Sequence, residues 1–444
     1  MSFIGFLFTA TCVALLLGLP RRWAPLPLLI AATYMTPGQA LDIGGLNFTV
    51  IRIMAAVGLL RVLVKGERIA GGWQPMDALM AAWAVWMVLS GLFHKEVERT
   101  LIFRMGYVFD HAVIYFLLRV FMRNLGELLQ LCKVVILVLA PLALLMLWEK
   151  TRGYNWFSVL GGVPSEVLVR NGQFRAQGPF AHPILAGTVG AACLPLAIFF
   201  WRRNRPLAVL GAVASGVIVF ASSSSGPILT ALTILCGLAL WWVRTWMRWI
   251  RWAGVAMLVA LSLVMQAPVY YLLARIDLTG SSTGWHRAAL IEASIKHLGE
   301  WWAVGTDYTR HWMPTGVHWS ANHTDITNHY LQMGVLGGLP LMLLFMGVIA
   351  AGFVAVGRAL RRNRTAPVHE RFLIWTLGAI LFGHAMTFLS VSYFDQTVVY
   401  LYFALAAIGS LRAMKATRPA TAAVASAPAS GSVTVQAAPS PLQP

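Results

Sequence analysis

Long apolar runs, each closed by a short polar or basic stretch, recur along the chain and predict helices. A spanning helix needs about 20 mostly apolar residues, and roughly thirteen runs approach that criterion. They lie near residues 3–19, 24–40, 48–64, 76–93, 106–121, 131–148, 182–201, 206–221, 226–243, 250–267, 330–355, 372–391 and 396–412. The second is interrupted by Pro25, Pro27 and Pro37. Two polar stretches are too long for simple connections, 149–181 and 268–328. Loops of such length are usually functional or disordered. The second holds Trp285, Trp301, Trp302, Trp312 and Trp319, a composition unlike a linker. Within it, Ala288, Ile291, Ile295 and Leu298 recur at helical spacing behind the N-cap candidates Ser281, Ser282 and Thr283. This predicts an amphipathic helix over 284–298 lying at a membrane interface, anchored by Trp301 and Trp302. The chain shows no internal repeat. It divides into N-terminal spans (1–148), a polar segment with central spans (149–267), the large loop (268–328), C-terminal spans (329–415) and an Ala/Pro/Ser/Val-rich tail (416–444) expected to be disordered and cytoplasmic.

Composition sharpens this picture. Of 444 residues 58% are hydrophobic and only 11% charged, and the mean hydropathy is +0.70. These values predict an all-α polytopic membrane helix bundle of about 12–13 spans with one large polar loop between late helices. The net charge of +18 would suit a nucleic-acid binder, but its distribution points elsewhere. Basic residues gather at Arg21/Arg22, Lys65/Arg68, Arg119/Arg123/Lys133, Arg202/Arg203/Arg205, Arg244/Arg248/Arg251, Arg358/Arg361/Arg362/Arg364 and Arg412/Lys415/Arg418, in alternate loops. That positive-inside pattern assigns these loops and the C-terminus to the cytoplasm, and the 149–181 and 268–328 segments to the opposite face. No nucleic-acid partner is expected. Arg21 and Arg22 follow the first apolar run, where a cleaved signal would carry its charge before it. Cys12, Cys132, Cys193 and Cys236 sit in apolar runs without zinc spacing and are expected to be packing residues.

Chemistry concentrates where the large loop meets the run that starts near Tyr330. His318, His323, Asp325 and His329 lie within a dozen residues. His323, Asp325 and His329 suit a general base with an orienting partner. The spacing fits no standard metal motif, so no metal is expected. Arg287, beside His286 on the predicted interfacial helix, suits an anion clamp or a headgroup-facing arginine, and Arg310 is a further cation of that loop. Arg170 and Arg175 precede a Gly-Pro turn that leads to His182, which could line the site or cap the turn. Ser222–Ser225, before Gly226-Pro227, offer donors to a polar cavity or plain turn chemistry, without a nucleophile elbow. Asp110, His111, His384 and Asp395 add polarity toward the same face, and Asn328 precedes the run that starts near Tyr330. No P-loop or dinucleotide fingerprint is present, so no nucleotide cofactor is expected.

The stretches Phe174-Arg-Ala-Gln-Gly-Pro-Phe-Ala-His182-Pro, Ser222–Pro227, Gly284-Trp-His-Arg287 with Trp302-Ala-Val-Gly305, and Asn328-His-Tyr-Leu-Gln332 with Gly334-Val-Leu-Gly337, taken in this order, resemble the O-antigen ligase and exopolysaccharide polymerase superfamily. The resemblance covers roughly residues 150–350. Two positions depart from the family's pattern. Ser225 stands where it usually has arginine, and Thr327 where it usually has histidine, so a histidine role would move to His329 or His323. The resemblance implies a metal-independent glycosyltransferase without cofactor in the bacterial inner membrane, its active site facing the periplasm. The implied donor is an oligosaccharide on undecaprenyl diphosphate, with membrane lipid around it and a flippase and chain-length regulator as partners. Polymerisation of repeat units is the preferred reading. A ligase moving glycan to lipid A-core is the alternative, and a transporter or flippase the alternative of another class.

Overall fold

The computed structural model describes residues 1–275 and 284–413. The N-cap candidates Ser281–Thr283 and the tail lie outside the described residues. The described chain is mostly helical. Helices α1 (Phe3–Gly18), α2 (Pro25–Tyr34), α3 (Val50–Val64), α4 (Pro75–Leu89) and α5 (Val97–Val108) lead into α6 (Ile114–Phe121) through a π-helical turn at Phe109–Val113. Then come α7 (Leu125–Arg152), α8 (Pro183–Phe200), α9 (Arg205–Ala221), α10 (Ser225–Ala239) and α11 (Met247–Val264). The short α12 (Leu272–Arg275), α13 (Gly284–Lys296) and α14 (Leu298–Trp301) precede α15 (His329–Arg362), α16 (Val368–Thr387) and α17 (Val398–Ser410).

The thirteen expected runs resolve differently from a count by hydropathy alone. Among the described residues, six helical stretches are long and apolar enough to cross a membrane, and α1, α9, α10 and α17 are apolar but shorter. The proline-rich second run folds as a helix of only ten residues, with Pro25 at its first turn. Packing separates the helices by face. Every residue of α17 is buried and α8 is buried nearly all round, as expected of helices apolar on every side. In contrast α11 buries no residue. Of the four cysteines, all free, Cys12, Cys132 and Cys193 pack inside, while Cys236 faces outward and so corrects the expectation that all four pack.

Two hairpins interrupt the helices. β1 (Ala40–Ile43) pairs with β2 (Leu46–Thr49), and β3 (Leu168–Arg170) with β4 (Gln173–Arg175), both antiparallel. The second turns at Asn171-Gly172, both with positive φ, the turn chemistry that two-residue hairpins favour.

Helix α15 carries a break at Gly337-Gly338, where the backbone leaves helical geometry, followed by Pro340. Proline has no N–H to offer Leu336 O, so this carbonyl needs another donor. The buried Arg104 supplies it through Nη2, and its Nη1 donates to Met87 O at 3.0 Å. Trp86 donates to Gly337 O at 2.7 Å. The Trp302–Thr306 strap completes the set, with Thr306 N donating to Val335 O at 2.9 Å and Trp302 O accepting from Leu339 N at 2.7 Å. A side chain at Gly338 or Gly305 would collide with backbone, at 2.3 Å from Ala303 O and Val335 O respectively. The strap is tied further by Asp307, which bonds the ring of His94 and accepts from Lys95 N at 3.2 Å. The 302–307 strap of the large polar segment is therefore docked.

Two buried cations elsewhere, Arg61 and Arg119, carry their own counter-charge. Arg119, fully enclosed, meets the equally enclosed Asp77 at 2.9 Å, and Tyr115 donates to the same carboxylate at 2.5 Å. Removing one partner of a buried pair leaves an uncompensated charge. Asp77→Ala should therefore destabilise the detergent-purified protein by about 3–5 kcal/mol in denaturant unfolding. A loss of only about 0.5 kcal/mol, the size of a surface change, would contradict this account of the core.

Candidate functional site

The β3–β4 hairpin explains the spacing of two arginines. Leu168 pairs with Arg175 and Arg170 with Gln173, so all four side chains share one face of the ribbon. The segment after β4 is held by acceptors from distant elements. Ala176 N donates to Ala221 O at 2.9 Å, at the end of α9. The buried carboxylate of Glu149, at the end of α7, accepts from Gln177 N and Gly178 N, both at 2.8 Å. Asp395 accepts from Ala181 N at 2.8 Å, and Gln396 donates to Pro179 O at 2.9 Å. Asp395 also accepts from Thr397 N at 2.9 Å, at the start of α17, and burial pushes its carboxyl upward. These ties fix Arg175 at the mouth of the helices.

Arg175 is buried and donates through Nη2 to Ser224 Oγ at 2.7 Å. Ser224 precedes the first turn of α10, which opens with the buried Ser225 and Gly226. Lys150 reinforces this corner, donating to Phe174 O at 3.0 Å and to Ser223 Oγ. Arg287 stands in the first turn of α13, also buried. The Nε atoms of Arg175 and Arg287 are enclosed without a hydrogen-bond partner among the described residues. Among those residues no carboxylate forms an ion pair with either, whereas Arg21, Arg52, Arg61 and Arg119 each have one. Burial, and then the charge of Arg170, holds both guanidinium groups below their ordinary value. That shared influence brings the hairpin and α13 into one electrostatic neighbourhood. The site gathers buried positive charge, with Arg175 beside the N-terminus of α10, an arrangement that favours anions.

His182 is the N-cap of α8, its Nδ1 accepting from Ile184 N at 3.1 Å. The capping alternative is thus the one observed, with the ring proton left on Nε2. Burial first, then Arg175 and Arg170, push its pKa down to about 4.

The helix predicted over 284–298 forms as α13, ending at Lys296, with His286, Arg287, Ala288, Leu290 and Ala293 on its buried side, while Ile295 and Leu298 of the predicted apolar stripe are exposed. His286 Nε2 reaches Asp325 O at 3.2 Å, which sets the 318–328 stretch against α13. Asp325 itself is solvent-exposed at one side, while the surrounding chain raises its carboxyl and His286 partly offsets this. The other residues of that stretch separate from it. His323 pairs with Ser320 Oγ at 2.7 Å and stacks on Trp319, and burial lowers its pKa. His329 is fully enclosed, accepting from Tyr393 N at 3.2 Å among Phe345, Phe388 and Tyr393. A histidine paired with the Asp325 carboxylate, as sequence proximity suggests, is not what forms: α15 begins at His329 and turns its ring inward.

Four further candidates have structural partners. Asn328 caps α15, accepting from Leu331 N at 3.1 Å and donating to Leu389 O at 3.3 Å. Arg310 spends its donors on Met313 O at 2.8 Å and Pro314 O at 3.1 Å, pinning its own loop. Asp110 is bound by Arg52 at 2.8 Å, and His111 stacks on Tyr107 with ring centres 3.9 Å apart. Sequence reasoning missed the roles of Glu149, Gln396 and Arg104, which act on backbone groups and so leave no local motif.

A histidine lowered in the folded state binds protons more readily when unfolded. Its contribution to stability is present above the ordinary value of 6.5 and is lost as pH falls from there toward about 4. Replacing it by Asn, another capping residue, should flatten part of the fall in melting temperature over that window. Unchanged pH dependence in His182→Asn would contradict the burial and charge assigned to this ring. Compared with protein-family models and with curated proteins, the chain matches none of either.

Proposed function

We propose that the chain is a multi-spanning glycosyltransferase of the bacterial inner membrane that joins repeat units carried on undecaprenyl diphosphate at the periplasmic face. The observation that carries this reading is the pair of buried guanidinium groups, Arg175 and Arg287, without carboxylate partners among the described residues. An unpaired buried charge costs several kcal/mol. A fold that retains two such charges in one field gains from an anion, and a diphosphate presents oxygens to planar guanidinium forks. Apolar helices beside the site suit the polyprenyl tail, and the sequence resemblance names the same donor class.

In this reading Arg175, Arg287 and Arg170 hold the donor's diphosphate and neutralise it as it leaves. The acceptor hydroxyl oxygen forms a bond to the anomeric carbon while the bond from that carbon to the phosphate oxygen breaks. The hydroxyl proton passes to Asp325, and the lipid diphosphate departs with the electron pair. Asp325 is preferred over His323 and His329 because His286 sets its segment against α13. His182 keeps the mouth of α8 neutral beside the arginines.

Purified protein with lipid-linked oligosaccharide should build a product ladder. Arg175→Ala and Arg287→Ala should abolish it while leaving the melting temperature near that of the parent, and Lys should rescue poorly. Asp325→Asn should slow transfer about 100- to 10,000-fold. A base must be deprotonated, so the parent rate should fall as pH drops through the raised Asp325 value, and the variant should lose that acid limb. Normal ladders from both arginine variants would overturn the reading. Transfer only to an added non-lipid-linked acceptor would instead select the ligase reaction.

A further inference from the structure

A second cluster lies at the other end of α13, away from Arg287. His297 follows the last residue of that helix, Glu300 lies in α14, and His311 sits in a short turn at Arg310–Trp312. His297 Nδ1 stands 2.7 Å from Glu300 Oε1, and His311 Nε2 stands 3.0 Å from the same carboxylate. All three potential ligand atoms fall within 4.8 Å of one another.

We propose that His297, Glu300 and His311 form a divalent transition-metal site, of the zinc class, that clips the C-terminal end of α13 to the 310–312 turn. Four features carry this. The donor set is two imidazoles and one carboxylate, which suits zinc better than calcium or magnesium. In a tetrahedral zinc site with ligands at about 2.0–2.1 Å, neighbouring ligand atoms lie roughly 3.4 Å apart, within the span already present. The carboxylate has an orienting partner, since Trp312 Nε1 donates to Glu300 Oε2 at 3.2 Å. Both rings are fixed in plane, His297 against Trp312 at 6.0 Å and His311 against Tyr308 at 5.0 Å.

The surroundings suit a cation as well. The three side chains are 32%, 39% and 34% exposed, so an ion can enter and water can complete its shell. The carbonyl end of a helix carries partial negative charge, and His297 N closes the last turn of α13 on Ala293 O at 2.9 Å. Binding would release whichever protons the facing ring nitrogens carry. The consequence is mechanical. The strap that fills the α15 break runs between Glu300 and His311, so the metal closes this loop while α13 presents Arg287 from its opposite end. This site is independent of the diphosphate reading and takes no part in the proposed transfer step.

The test uses the full chain without a histidine tag, purified in detergent, stripped with chelator and then offered zinc alone. Gel filtration followed by elemental analysis should retain one zinc per chain, and X-ray absorption should show nitrogen and oxygen neighbours at about 2.0–2.1 Å. His297→Ala, His311→Ala and Glu300→Gln should each weaken zinc by more than the roughly 10- to 100-fold typical of outer-shell changes. His318→Ala should leave it unchanged. Zinc that is not retained, or retained equally by the His297→Ala/His311→Ala double variant, overturns the site. The absorption spectrum is read on the parent protein, so sulfur neighbours or a six-oxygen shell overturn it even where a variant fails to fold.

Discussion

A guanidinium ion removed from water needs a counter-charge or a set of acceptors, and this chain supplies one or the other nearly everywhere it buries arginine. Arg119 has Asp77, Arg61 has Glu67, and Arg104 has Leu336 O, freed by the broken helix, together with Met87 O of α4. At Arg175 and Arg287 the rule lapses among the described residues. The nearby acids are committed elsewhere, Glu149 and Asp395 both accepting from backbone N–H groups of the 176–182 segment. The result is buried positive charge at Arg175, held in place by the same contacts that shape its surroundings. On the proposed reading, that standing charge is what a lipid diphosphate neutralises.

The rest of the architecture keeps this charge in place. A break in a long apolar helix exposes carbonyls that an apolar environment cannot satisfy. Here the break in α15 is filled by a cation, an indole and a strap of the large polar segment. Filling it anchors the segment that carries α13. From the other side, the hairpin turn at Asn171-Gly172 and the ties to α7, α9 and α17 set Arg170 and Arg175 on one face. Arg287 and Arg175, distant in sequence, thus come under the influence of one neighbour, Arg170.

Much of this was legible before the structure. Apolar runs announced the helices, helical spacing announced α13, and Arg175 before its Gly-Pro turn and Arg287 beside His286 stood out as candidate anion ligands. Hydropathy overcounted spans because it registers apolar content and not helix length: the 24–40 run yields a helix of only ten residues. The hairpin at 168–175 escaped an all-helical reading although Asn-Gly is a strong local signal for it. His329 illustrates the opposite error. It sits four residues after the exposed Asp325, and only the helix phase shows that its ring turns into the core. The contacts of Arg104 and Glu149 were illegible in principle, since their partners are backbone atoms remote in sequence.

Lipid binding without turnover isolates the central claim from the chemistry that follows it. Native mass spectrometry of the detergent-solubilised protein would compare undecaprenyl diphosphate with undecaprenol. The account predicts that the diphosphate is retained in strong preference by the parent, and that an Arg175→Gln/Arg287→Gln variant with unchanged helical content holds the two lipids alike. Equal retention of both lipids by the parent, or an undiminished preference in the variant, would contradict it.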